Sequence, residues 1–275
     1  MNNLIVRTIS GTVFLAILVG GIVIHPFTFG ALTAGIVAAG MSEYYGIVMP
    51  GKFGLRKAAG ILTGLCLFAM FFAHGFGVIT ADHFLLLVVP VTAIFVYELY
   101  AESDEPFKMI SYVLSGVVYI ALPFSLMNVM TLRYGNYDYR LILAFFIFLW
   151  ANDVGAYCFG MMFGRSGKRK LFERISPKKS WEGFIGGLIA AIAAGYIVSE
   201  FWGLRYGLSP PQWILAAGVV SITATFGDLI ESLLKRSAGI KDSGNIMPGH
   251  GGILDRFDGA LTAFPCMLAL MKIFL

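Results

Sequence analysis

The segment from Ser232 to Asp258 gathers four cations (Lys235, Arg236, Lys241 and Arg256), three aspartates, one histidine and five glycines into 27 residues between two strongly apolar stretches. Ionisable side chains deep in hydrocarbon are costly unless wet, paired or metal-bound, so a membrane chain keeps them where they act. These residue types suit chemistry on phosphate. Carboxylates hold a divalent cation, lysine and arginine neutralise phosphate oxygens, and a glycine-rich backbone can bring N–H groups close to them.

Helical spacing aligns Asp228 with Glu231, Ser232 and Lys235, because positions three, four and seven apart share a face. Asp228 follows Trp213, near the helix start, by about 15 residues, or about 22 Å at the rise of a helix. That is less than the ~30 Å hydrocarbon thickness, so Asp228 and Glu231 are expected in the inner leaflet, at a cytoplasm-facing cavity of the C-terminal half. Asp255 and Asp258, at the entry of the last apolar segment, offer oxygens from a second element. Magnesium favours a few carboxylates completed by water and substrate phosphates over a full protein cage. The alternative is a set of intramembrane ion pairs, Glu231 with Lys235 for example.

Pro248, Gly249, His250, Gly251 and Gly252 form a glycine-rich turn that either cradles phosphate with its amides or merely joins two helices tightly. The basic loop before the next apolar run reads ISPKKSWEG from Ile175 to Gly183. Ser176 before Pro177 predicts a helix N-cap with proline at the first helical position, which would aim amides at an anion. Lys178 and Lys179 add charge, although a basic loop also serves simply to fix topology. Asp153, beside Asn152, either reaches the same cavity or caps a buried polar network. Glu43 and Glu98 read as peripheral or interhelical acids without chemistry.

Positioning these groups requires membrane helices. With 58% hydrophobic and 13% charged residues and a mean hydropathy of +0.80, the 275-residue chain lacks the polar surface of a soluble globule. Its continuous apolar runs fit helices and not the alternation of a barrel. The expected fold is all-α and polytopic. About nine transmembrane helices are predicted near 9–24, 28–48, 58–79, 84–100, 110–132, 141–163, 183–203, 213–235 and 258–275. The first two are divided only by His25 and Pro26 and read alternatively as one bent hairpin. A run after Arg7 suggests a signal segment, but without an A-x-A-like site it is expected to stay as a helix. Cys66, Cys158 and Cys266 stand singly in apolar segments and predict neither disulfides nor thiolate metal sites.

With nine spans, sixteen of the twenty Lys and Arg fall on the side of the N-terminus and four, Arg133, Arg140, Arg205 and Lys272, on the other. The positive-inside rule then predicts a cytoplasmic N-terminus and cytoplasmic active-site loops. A single membrane domain is expected over 1–275, with 1–132 as scaffold, lipid or subunit contact and 133–275 carrying the chemistry.

The C-terminal half resembles the phosphatidate cytidylyltransferases, or CDP-diacylglycerol synthases. The resemblance runs through Ser232, Lys235, Arg236, Lys241, Asp242, Gly244, Pro248, His250, Gly251, Gly252, Asp255, Arg256 and Asp258. Upstream it includes Asp153 with Ala156 and Tyr157, Ser176 to Lys178, Trp181 to Gly183, and Gly227 to Ser232. Met247 stands where leucine or a similar apolar residue is usual and Ser180 where threonine is common; both keep the character. The first half matches mainly in hydropathy.

The resemblance implies a bacterial inner-membrane enzyme, dimeric, that turns phosphatidic acid and CTP into CDP-diacylglycerol and pyrophosphate. It implies that Asp228 and Asp255 hold Mg²⁺, with Lys235 completing the catalytic set and Glu231, Asp258 and Asp153 as further candidate ligands. A monovalent cation such as K⁺ is implied near the same carboxylates. Ser232 and Arg236 would line the nucleotide site, and Ser176, Lys178, Lys179, Lys241, His250, Gly251, Gly252 and Arg256 would complete substrate binding. Membrane lipids and a second copy are the expected partners, and no nucleic acid is expected. The rivals are a CTP-dependent polyprenol or phytol kinase, which would release CDP instead of pyrophosphate, and a transporter using intramembrane acids as a pathway.

Overall fold

The structure is a computed structural model that describes residues 3–51, 54–133, 135–164, 169–244, 246 and 251–275. Among the described residues, ten α-helices and two short hairpins follow one another. They are α1 (Asn3–Ile24), α2 (Pro26–Val48), α3 (Leu55–Gly75), α4 (Val88–Tyr100), α5 (Pro106–Gly116), α6 (Leu122–Thr131), β1 (Leu132–Arg133), β2 (Asn136–Tyr137), α7 (Arg140–Phe163), β3 (Lys170–Phe172), β4 (Ser176–Ser180), α8 (Trp181–Tyr206), α9 (Pro210–Ser237) and α10 (Leu254–Phe274). A 3₁₀ segment, Ala81–Leu87, leads into α4, and a π-turn, Val117–Ala121, joins α5 to α6. The wide turn ends two residues before Pro123, whose ring and missing N–H disrupt a regular helix.

Among the described residues, seven helical rods are long and apolar enough to cross a membrane: those at 55–75, 81–100, 106–131, 140–163, 181–206, 210–237 and 254–274. The chain is thus an all-α, polytopic membrane protein in type. α1 contributes a shorter apolar run, Thr8–Ile24. In α2 the stretch from Ser42 to Tyr45 dilutes the apolar character. The break between them lies at the predicted place. His25 is the N-cap of α2, its ring nitrogen accepting from the Phe27 N–H at 3.3 Å, and Pro26 opens the helix.

The chain sorts into two compact units. The first comprises Met1–Tyr139 and Asp242–Arg256. In it α3 packs against α2 and α6, and α1 against α2. Water exclusion does not drive helices together within lipid, so packing and interhelical polar contacts matter more. Tyr45 donates to the Val113 carbonyl at 2.7 Å, and Arg56 forks onto Glu98 at 2.5 and 3.1 Å. Glu98 is therefore the interhelical acid the sequence suggested. Tyr137 donates to the Ile22 carbonyl, and burial, then the Asp138 charge, pushes its phenol above the ordinary value.

The second unit comprises Arg140–Lys241 and Phe257–Leu275, and is built on α7 against α8 and α8 against α9. A Cβ on Gly155 would stand 2.6 Å from the Gly186 carbonyl, so only a glycine lets α7 and α8 approach this closely. Phe145 meets Phe264, and Phe146 meets Phe257, bringing α7 onto α10.

One local expectation is overturned. Ser176 is not a helix cap: Ser176–Ser180 is a strand paired antiparallel with Lys170–Phe172, in register Lys170 with Ser180 and Phe172 with Ser176. A residue before proline is pushed towards extended backbone, and Ser180, directly before the apolar run, takes the cap by accepting from the Gly183 N–H at 3.2 Å.

Candidate active site

In the second unit the site is built on the last turns of α9. Gly227 packs flat against α10: a Cβ there would stand 2.6 Å from the Asp258 carbonyl and 3.1 Å from the Gly259 Cα, besides striking the Thr262 hydroxyl. The two backbones can approach this closely only without a side chain between them. Thr262 fixes the crossing by donating to the Thr223 carbonyl at 2.8 Å. The next residue along α9 is Asp228, so the close crossing brings its carboxylate towards Asp258.

Both oxygens of Asp228 are engaged. Lys179 of β4 reaches Oδ2 at 2.6 Å, and its Nζ also lies 3.4 Å from the Thr225 carbonyl. Ser232, one turn on, donates to Oδ1 at 3.3 Å. The predicted stripe is real, and its more buried pair is ionic: Lys235 bonds to Glu231, whose side chain is 0% exposed. The alternative of an intramembrane pair thus describes Glu231. Asp258 feels the charges of Asp228, Glu231 and Asp153, and its Oδ1 accepts from the Gly259 N–H at 2.7 Å. Asn152 accepts from Ser221 at 2.7 Å and contacts Asp153 at 3.4 Å, so the polar network reaches α7.

Four carboxylates therefore share one neighbourhood with Lys179 and Lys235. A set richer in carboxylate than in ammonium suits a divalent cation whose remaining ligands are water and substrate phosphate. Among the described residues no three His, Cys, Asp or Glu side chains form a ready-made metal cage.

The other predicted residues are placed as follows. Lys178 is exposed on β4, and Ser176 is half-buried at its start. Arg236 donates to the Ile240 carbonyl at 2.8 Å, closing the turn after α9. Lys241 and Arg256 are exposed. His250 lies outside the described residues, as do Asn245 and Met247 to Gly249 of the signature and Arg165 and Lys168 of the basic loop.

In the first unit, Asp255 organises the turn before α10. Its Oδ2 accepts from the Ser243 N–H and hydroxyl, both at 2.9 Å, and from the Gly252 N–H at 2.8 Å. Gly251 has φ +79°, a left-handed conformation that favours glycine. Glu43, to which the sequence assigned no role, joins this turn: it accepts from the Ile253 and Leu254 N–H groups, each at 2.9 Å, and lies 3.1 Å from the Ser243 hydroxyl. Its only sequence signal was an acid inside a largely apolar helix.

The profile of the Cytidylyltransferase family matches residues 5–274. The chain belongs to the cytidylyltransferase family. A phosphatidate cytidylyltransferase of Bacillus subtilis is 30% identical over 281 residues, covering 99% of this chain and 98% of that protein. One of Staphylococcus haemolyticus is 38% identical over 175 residues, 64% of each chain. One of Haemophilus influenzae is 44% identical over 127 residues, 46% of this chain and 43% of that protein. The matched stretch thus spans less than two thirds of the Staphylococcus and Haemophilus relatives, while the Bacillus match runs nearly end to end. The family resemblance read from the signature is borne out over the whole chain.

Proposed function

We propose that this member of the cytidylyltransferase family transfers the cytidylyl group of CTP to phosphatidic acid, giving CDP-diacylglycerol and pyrophosphate. The observation that carries this reading is Asp228, held by Lys179 at a crossing where Asp258, Glu231 and Asp153 also gather.

No protein nucleophile is needed, because the phosphate of phosphatidic acid is already anionic near neutral pH. Its oxygen forms a bond to the α-phosphorus of CTP while the bond from that phosphorus to the bridging oxygen breaks, and pyrophosphate leaves with the electron pair. Catalysis then consists of positioning and charge neutralisation. Asp228, with Asp258 beside it, would hold the divalent ion. Bound there, Mg²⁺ would neutralise triphosphate charge and fix its geometry. Lys179 is poised to exchange its carboxylate partner for a substrate phosphate, and Ser232 to orient Asp228. Lys235, anchored by buried Glu231, supplies fixed positive charge, and exposed Lys178 attracts anions to the entrance. Roles for Asp255, Lys241, Arg236, His250 and Arg256 follow from the family resemblance, as does a monovalent cation.

The remaining parts of the reading are a bacterial inner-membrane location, nine spans, a cytoplasmic N-terminus, a cavity open to cytosol and inner leaflet, and a homodimer. Basic residues concentrated on one face favour that orientation and attract anionic lipid and CTP.

The test is incubation of purified protein with phosphatidic acid, α-³²P-labelled CTP and Mg²⁺. Label entering the lipid phase with equimolar pyrophosphate supports the proposal. CDP released alongside a phosphorylated alcohol identifies a lipid kinase, and ion or solute flux into liposomes without nucleotide turnover identifies a transporter.

A further inference from the structure

A carboxylate of the first unit that is not in the signature accepts three hydrogen bonds. Glu43, on α2, places both oxygens against the turn that opens α10. Oε1 accepts from the Ile253 N–H and Oε2 from the Leu254 N–H, each at 2.9 Å. These are amides at a helix start, which lack intrahelical acceptors and carry the positive end of the helix dipole, so a carboxylate suits them. The Ser243 hydroxyl lies between Glu43 Oε2, at 3.1 Å, and Asp255 Oδ2, at 2.9 Å, and can donate to either. The pocket admits no larger backbone neighbours: a Cβ on Gly244 or Gly252 would stand 2.6 Å from Glu43 Oε1. The turn is thus clamped by two carboxylates sharing one hydroxyl and surrounded by backbone donors.

We infer that Glu43 is a positioning residue for the reaction, holding Ser243 and the Gly251–Asp255 turn, and through them the Asp255 carboxylate, in their working conformation. This rests on the proposed cytidylyl transfer for its catalytic readout. It gives the N-terminal helices a part in catalysis, because the clamp reaches from α2 across some 200 residues of sequence.

The test compares Glu43→Ala, Glu43→Gln and Glu43→Asp with Glu98→Gln, which loosens another interhelical acid of the same unit without touching the turn. Thermal unfolding, kcat and KM for both substrates, and amide exchange over 243–254 are measured on the purified full chain. Glu43→Ala is expected to lower kcat on the order of tenfold to a hundredfold, the usual consequence of losing hydrogen bonds to a charged acceptor. Exchange at Ile253 and Leu254 is expected to accelerate, with Glu43→Asp recovering part of both losses. Glu98→Gln is expected to lower the midpoint of unfolding while leaving kcat and exchange of the turn near wild type.

A Glu43→Ala protein with wild-type kcat and unaltered exchange overturns the inference, and so does one whose losses merely track those of Glu98→Gln. Should Glu43→Ala fail to fold, the isosteric Glu43→Gln is judged by the same two readouts. A wild-type protein that makes no CDP-diacylglycerol defeats the proposed function instead, and amide exchange then decides the clamp alone: faster exchange in the Glu43 variants supports it and unchanged exchange overturns it.

Discussion

Lys179 Nζ stands 2.6 Å from Asp228 Oδ2, so a strand of the basic hairpin is fastened to the carboxylate that crowns the α9 stripe. The pair is 23% and 40% exposed on its two side chains. Solvent screening at that exposure leaves it worth only about 0–1 kcal/mol to the fold. On the proposed reaction the pair would then matter to substrate binding and little to stability. Lys179→Ala should leave the unfolding midpoint nearly unchanged while raising KM for CTP or phosphatidic acid. Asp228→Asn should cost on the order of 100-fold in kcat even at saturating Mg²⁺. Near-normal turnover of that variant would remove Asp228 from the mechanism.

The more buried pair one turn on should behave in the opposite way. Glu231 is 0% exposed and Lys235 is 11% exposed, so deleting one partner leaves the other charge buried. Such a loss typically costs about 3–5 kcal/mol, whereas replacing both charges together is far better tolerated. Glu231→Gln and Lys235→Met should each lower thermal stability sharply in detergent. The double variant should recover most of the stability without recovering activity, because Lys235 is also proposed to act on substrate. Additive losses in the double-mutant cycle would show that the two side chains do not depend on one another.

Ser180 offers a milder test of the hairpin-to-helix junction. It is the N-cap of α8, and removing a serine cap costs typically about 1 kcal/mol. Ser180→Ala should lower the unfolding midpoint modestly, and Ser180→Thr should restore it, since threonine supplies the same acceptor. Urea or thermal titration of the three proteins decides it; an alanine variant as stable as wild type would mean that another group satisfies the Gly183 N–H.

The sequence made the helices legible because long apolar runs have few alternatives in lipid, and it made the α9 stripe legible because a helix repeats every three to four residues. The β3–β4 hairpin leaves no such mark. Its strands are short and charged, without the alternation that marks a half-buried strand, and Ser176 before Pro177 imitated a cap that Ser180 provides. The Lys179 and Asp228 pairing was invisible because only tertiary structure brings β4 to α9. Glu43 was dismissed for the same reason: every amide it holds lies some 210 residues away, and nothing near it in α2 announces a partner.

The crossing of α9 and α10 is the most sensitive geometric element of the site. A methyl group at Gly227 would meet the Asp258 carbonyl, backbone that cannot swing aside like a flexible side chain, as well as the Thr262 hydroxyl that holds the crossing. Overpacking of this kind typically costs about 1–3 kcal/mol, and here it also pushes Asp228 away from Asp258. Gly227→Ala should therefore lose activity out of proportion to stability, with the apparent Mg²⁺ requirement rising as the carboxylates separate. Gly218→Ala makes the control: on the same helix its added Cβ would find only the Leu188 side chain, at an ordinary 4.0 Å, so both stability and turnover should stay near wild type. Equal behaviour of the two variants in turnover and Mg²⁺ titration would mean that the close crossing does not set the site.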